Sequence, residues 1–145
     1  MKKALFLTVV LAAMLLADSH MSGKITYFGS SRVKAAFVKG MPLVEVENYK
    51  VHASHRDGAG MVEVHERDTD IVYVLEGSAT LVTGGEIVDG KPTANEEIRG
   101  ASIRGGETQQ IVPGDVIIIP NGVPHWFKEV PGPLNYYVVK VRSEK

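Results

Sequence analysis

The stretch Pro113-Gly114-Asp115-Val116-Ile117-Ile118-Ile119-Pro120-Asn121-Gly122-Val123-Pro124-His125 decides how this chain is read. Two turn signals bracket a short apolar run. Each turn combines a proline, which fixes φ, with a glycine, which reaches left-handed conformations, so the chain reverses twice. Residues 116–119 between the turns are β-branched, which suits a strand, and are apolar enough to predict a buried one. The second turn delivers His125 to the start of the next strand. There the imidazole can cap the turn or serve as a ligand.

Outward from this stretch the same alternation of short strands and turns continues. Strands are predicted over 43–46, 49–56, 61–65, 71–75, 78–83, 98–104, 108–112, 125–130 and 135–141. Gly84-Gly85 and Asp89-Gly90 are dipeptides that join antiparallel strands, and residues 91–97 read as a polar loop. Helical patterning occurs once in the folded part of the chain. Ser30-Ser31 can cap a helix over 32–39 that Gly40 stops, with Val33, Ala36 and Phe37 on its apolar face. That helix is expected to pack on the outside or mouth of a barrel. About ten short strands and one short N-terminal helix describe an all-β, double-sheet barrel or sandwich forming one domain over 24–145.

Composition narrows the chemistry. A formal charge of −1 over 145 residues gives no electrostatic case for nucleic acid or an anionic membrane as partner. With no cysteine, disulfides, thiolate metal sites and thiol nucleophiles are excluded, so the 5 histidines and 17 carboxylates must supply any metal or acid–base chemistry. Lys2 and Lys3 precede an apolar run over 4–17 that is short for a membrane span of ~20 residues. This layout predicts a signal peptide over 1–19, with Ala17 and Ser19 at the −3 and −1 positions. The implied location is periplasmic or extracellular, with no stable membrane insertion once the leader is cleaved. An uncleaved anchor helix is the competing reading.

A second informative stretch lies about fifty residues before the first: Gly60-Met61-Val62-Glu63-Val64-His65-Glu66-Arg67-Asp68-Thr69-Asp70, running on to Gly77. Alternate residues of a strand face one way, so Glu63 and His65 share a face. Asp70 opens the next strand, and an antiparallel hairpin would bring it beside His65. It can equally bond backbone amides in the turn. Glu66, Arg67 and Asp68 read as a solvated hairpin tip. His52 and His55 fall on opposite faces of one strand, where surface roles are expected. Tyr73 and Trp126 read as core packing, and Asp115 as a turn residue. Glu107 and Gln109, two apart on one strand, can reach the cavity.

Together the two stretches resemble the paired signature motifs of the cupin superfamily. The first motif there runs glycine, five residues, His-x-His, three or four residues, Glu, six residues, glycine. Glu63 stands at the first histidine position, His65 at the second, Asp70 at the glutamate and Gly77 at the closing glycine. The second motif is matched by Gly114, Pro120, Gly122 and His125, with Glu129 where asparagine is usual. The resemblance spans about residues 43 to 141. It implies a double-stranded β-helix (jelly-roll) barrel and one divalent metal ion, Fe, Mn, Zn or Ni, held by Glu63, His65, Asp70 and His125. Both departures from the motif keep ligand-type side chains. The implied activity is that of a metalloenzyme acting on a small polar or carboxylate metabolite, of dioxygenase, decarboxylase, isomerase or lyase type. A non-catalytic extracytoplasmic module that binds a metal or small molecule is the alternative. Homodimerisation is implied by the family.

Overall fold

The structure is a computed structural model that describes residues 24–93 and 96–144. The leader expected over 1–19 lies outside the described residues. Helix α1 (Ser30–Lys39) is followed by β1 (Met41–Glu45), β2 (Tyr49–Arg56), β3 (Val62–His65), β4 (Asp68–Glu76) and β5 (Ala79–Thr83). Then come β6 (Glu86–Val88), β7 (Lys91–Thr93), β8 (Glu97–Gly100), β9 (Ser102–Arg104) and β10 (Glu107–Ile111). The chain closes with β11 (Val116–Ile119), β12 (His125–Glu129) and β13 (Leu134–Arg142). A five-stranded sheet in the order β1-β2-β13-β4-β11 packs on a six-stranded sheet in the order β10-β5-β12-β3-β8-β7, and β6 pairs with β9. All of these pairings are antiparallel. This is the jelly-roll barrel expected from the two motifs. Among the described residues no helix is long and apolar enough to cross a membrane.

Strand alternation builds the interior. On β13, Leu134, Tyr136 and Val138 point inward and are buried, and on β4 Asp70, Val72 and Val74 do the same. With Ala79, Leu81, Ile111 and Phe127 these aliphatic and aromatic groups form one apolar core. Phe127 stacks on Tyr136 with ring centroids 5.2 Å apart, which closes the core toward the site. The same inward rows turn polar at their other end. Lys140 and Arg142 succeed Val138 on β13, and Asp70 and Asp68 precede Val72 on β4. The barrel is therefore dry at one end and charged at the other.

Several details depart from the sequence expectations. The serines do not cap α1; Gly29 holds the cap position without a side-chain bond, and the helix begins at Ser30 itself. Its stop is as expected, Gly40 at φ 60° donating to the carbonyls of Ala36 and Phe37. The expected apolar face packs on the outer side of β1 and β2, with Ala36 buried and Phe37 edge-on to Tyr137 at 5.0 Å. Residues 91–93 pair with β8 as strand β7 and are not a loop. The 116–119 run is an edge strand, with Val116 and Ile118 61% and 64% exposed and only Ile119 fully buried. Its hydrophobicity signalled two apolar faces, of which the sandwich covers one. Tyr73 lies on that same outer face and is exposed, so it does not pack in the core.

Gly77 sits at φ +82°, where the chain turns between β4 and β5. A Cβ there would lie 2.1 Å from the Pro133 carbonyl oxygen. Gly77→Ala is therefore expected to cost about 2 kcal/mol or more in urea unfolding, through strain and forced backbone displacement. Gly58→Ala, where an added Cβ meets nothing within 4 Å, should change stability by no more than about 0.5 kcal/mol. Equal stabilities for the two variants would contradict this account of the turn.

Candidate metal centre

His125 starts β12 and lies opposite Glu63 of β3, while His65 closes β3 opposite Glu97 of β8. The turn that delivers His125 is tied back to His65: the Gly122 amide donates to the His65 carbonyl at 2.8 Å. Asn121 reinforces this link by donating its side-chain amide to the Glu66 carbonyl at 3.2 Å. Gly122 has φ +79°, so the tie depends on a left-handed residue at this point. The two imidazoles are thereby held 5.1 Å apart between centroids, and both are buried. One donor atom from each of Glu63, His65 and His125 lies within 4.8 Å of the others.

Polar contacts at Nδ1 aim the rings. His65 Nδ1 is 3.1 Å from a Glu97 oxygen, an arrangement that suits a proton on Nδ1 and turns Nε2 to the interior. His125 Nδ1 is 3.2 Å from the Val123 carbonyl, which likewise leaves Nε2 as the inward donor. Burial pushes the His125 imidazole below its ordinary range, outweighing the opposing effect of the Val123 carbonyl and the Asp70 charge. The ring is thus kept in its neutral, ligating form. Burial pushes Glu63 upward, but the Arg99 and Arg56 charges outweigh it and hold the carboxyl below the usual range. Arg99 donates to Glu63 Oε1 at 3.1 Å and Arg56 at 3.4 Å.

Asp70 reaches the same space by a route other than the expected hairpin. β3 and β4 belong to different sheets, so the turn between them crosses the barrel and Asp70 faces His65 from the opposite wall. Asp70 Oδ2 lies 3.4 Å from His65 Nε2 and 4.0 Å from His125 Nε2. Both of its oxygens also accept from Lys140 Nζ at 2.8 Å. Burial raises this carboxyl, while the adjacent His65 ring and the Lys140 charge together bring it below the usual range. Of the expected ligands, Glu63, His65 and His125 converge as a triad, and Asp70 stands beside them bound to a lysine.

A cupin family profile matches residues 25–143. The chain belongs to the cupin family. Solved structures similar to this cupin include a protein of Bacillus halodurans, with TM-score 0.59, 15% identity and coverage of 86% of each chain. A cupin superfamily protein of Desulfitobacterium hafniense has TM-score 0.52 and 16% identity, covering 72% of this chain and 76% of its own. KdgF from Halomonas has TM-score 0.51 and 14% identity, covering 72% and 77%. A comparison with curated proteins finds no match. At these identities the solved structures speak for the fold, and the donor set must be judged on this cupin's own geometry. Two imidazole nitrogens with an ionised carboxylate suit Fe, Mn, Zn or Ni, so the residues present fit a divalent ion.

The remaining candidates fall outside this cluster. His52 pairs with Glu45 at 3.0 Å, and His55 with Asn135 and Asp57 at 2.7 and 3.0 Å. Glu107 and Gln109 are exposed on the edge strand β10; Gln109 lines a surface groove of about 370 Å³ with Asp115 and Ile117, none of them site residues. Asp115 makes the expected turn, accepting from the Val112 amide at 2.9 Å. Trp126 is half-buried and donates to the Gly60 carbonyl at 2.7 Å. Sequence reasoning missed Lys140, Arg56, Arg99 and Glu97. The available signal was alternation: Lys140 continues the inward row of Tyr136 and Val138, and Glu97 and Arg99 lie two apart opposite His65 and Glu63.

The depressed His125 value makes stability pH-dependent. The unfolded imidazole takes up its proton near pH ~6.5 and the folded one only at lower pH. This contribution is therefore full above that pH and is lost as pH falls toward the folded value. Glu63 and Asp70, also depressed, add a loss that begins only below about pH 4. In chelator, the urea midpoint of His125→Gln is expected to lose less between pH 7.5 and 5.5 than that of wild type. An unchanged slope in the variant would show that His125 contributes nothing to the pH dependence.

Proposed function

We propose that this cupin binds one divalent metal ion, Fe, Mn, Zn or Ni, through Glu63, His65 and His125, and acts with it on a small polar or carboxylate metabolite. The observation that carries the reading is the convergence of three ligand atoms within 4.8 Å, with polar contacts at Nδ1 that turn both Nε2 atoms toward the shared space. The bound ion would supply Lewis acidity and open coordination positions. Glu97 would hold the His65 ring in register, and the Val123 carbonyl the His125 ring.

Arg56 and Arg99 support the choice of an anionic substrate. Both guanidinium groups converge on Glu63 Oε1, and Arg99 is about one-third exposed. Planar guanidinium groups beside a metal match a carboxylate in a two-pronged way that lysines do not. Arg56 also lies 4.3 Å over the Phe127 ring and donates to the Tyr136 hydroxyl at 2.9 Å. Its head group is held in place between the apolar core and the polar site. Dioxygenation, decarboxylation, isomerisation and lyase chemistry all use such a site. We place this activity in the periplasm or outside the cell, on the strength of the leader expected over 1–19.

Homodimerisation belongs to the same proposal. Tyr73, Val116 and Ile118 share the outer face of β4 and β11, beside the open edge of β11. An exposed apolar row along a free strand edge suits pairing with a second copy of the chain.

Two measurements test the proposal. Metal analysis by mass spectrometry of natively purified protein should find about one ion per chain, lost in His65→Ala/His125→Ala. No metal in the wild type, even after incubation with Fe(II), Mn(II), Zn(II) and Ni(II), would sink the metalloenzyme reading. Metal without turnover on any carboxylate metabolite would instead favour the binding module. Light scattering should give a dimer mass that Val116→Lys/Ile118→Lys reduces to a monomer, and a monomeric wild type would refute the pairing.

A further inference from the structure

The donors proposed for the metal already face a cation that belongs to the chain. Lys140 Nζ lies 2.7 Å from His65 Nε2 and 2.8 Å from each oxygen of Asp70. An ammonium has three protons to donate and no lone pair, and these contacts use all three. Because an ammonium can only donate, this 2.7 Å contact makes His65 Nε2 the acceptor, and the lone pair Lys140 takes there is the one a metal would take.

The backbone makes this contact built in. Lys140 and Asp70 are register partners on β13 and β4, at the boundary where the inward rows change from apolar to charged. The lysine side chain is 15% exposed and the Asp70 side chain 7%, so water competes little for either. Charge is already balanced without an added ion. Asp70 is met by Lys140, and Glu63 by Arg56 and Arg99. A single nitrogen lone pair cannot serve an ammonium at 2.7 Å and a metal at about 2.0–2.1 Å together.

We infer that Lys140 is a tethered competitor of the divalent ion, so that metal enters only as the ammonium withdraws from His65 and Asp70. The inference rests on the metal-binding reading above and adds what sets its affinity. It also accounts for Asp70 standing outside the ligand triad: its carboxylate is the lysine's counter-ion until the metal displaces the lysine. A tethered group acts at high effective concentration, so the competition cannot be diluted away.

The test is calorimetric titration of chelator-stripped full chain with Zn(II) and with Mn(II), in wild type, Lys140→Met and Lys140→Gln. Removing a charge-assisted contact to a buried donor should tighten metal binding about tenfold or more. Thermal melting adds a second readout: both variants should melt lower than wild type in chelator and gain more from saturating Zn(II). The double variant Lys140→Met/Asp70→Asn separates competition for His65 from the freeing of Asp70, and should keep part of the gain. Equal or weaker affinity in the lysine variants, with wild type still binding one ion, overturns the inference and leaves the metal reading intact. Binding by the variants but not by wild type supports the inference and overturns the metal reading for the native protein. Binding by neither overturns both. His65→Ala added to Lys140→Met should abolish the gain, and a gain that survives it would also overturn the inference.

Discussion

Ionised groups inside a barrel must be neutralised there, and this requirement organises the interior of the molecule. Glu63, Asp70 and both site histidines sit where water reaches little. A buried charge without a partner costs several kcal/mol, whereas a paired and hydrogen-bonded one is tolerated. Each of these groups is accordingly matched: Glu63 by two arginines, Asp70 by Lys140, His65 by Glu97 on one nitrogen and Lys140 on the other, and His125 by the Val123 carbonyl. Among the described residues no buried side-chain polar atom lacks a partner. The cluster is a fully connected network, and a change at one member is felt by the rest.

The fold meets this requirement by grading its interior along the strands. The inward rows of β4 and β13 begin as Val74, Val72 and Leu134, Tyr136, Val138, and end as Asp70, Asp68 and Lys140, Arg142. Asp68 then binds Lys50 at 3.6 Å and Arg142 at 3.3 Å, and Arg142 reaches Glu96, which extends the ion pairs toward solvent. Phe127, stacked on Tyr136 and capped by Arg56, marks the border between the two regions. The apolar end supplies packing that orders the strands, and the ordered strands hold the charged end in one geometry. Stability and site geometry thus come from the same two rows.

The lysine within the donor set distinguishes this barrel from a simple metal cage. Two carboxylates and two imidazoles facing an empty space would attract any divalent ion available. With an ammonium among them these donors are already partnered, and on the proposed reading an entering ion would have to offer more than the lysine does. Such a site would discriminate between ions by their affinity for nitrogen donors, because ions that favour oxygen gain less from taking the His65 lone pair.

Local signals in the sequence determined the strand grammar, the turns and the motif residues. Pro113-Gly114 and Pro120-Asn121-Gly122 set reversals through proline φ and glycine freedom, and period-two alternation put Glu63 and His65 on one face. The helix stop at Gly40 and the apolar face of Val33, Ala36 and Phe37 were legible for the same reason. Pairing across long separations was not. Nothing local says that β3 and β4 part into different sheets, so the expected hairpin became a crossing of the barrel, and Asp70 met His65 from the opposite wall. Nor does local pattern show that Lys140, seventy residues from Asp70, is its register partner. Alternation tells which way a side chain points, but only the closed sheet order decides what stands there to meet it. The sequence by itself therefore determined the barrel and its two imidazoles, and the tertiary structure decided which charges they share it with.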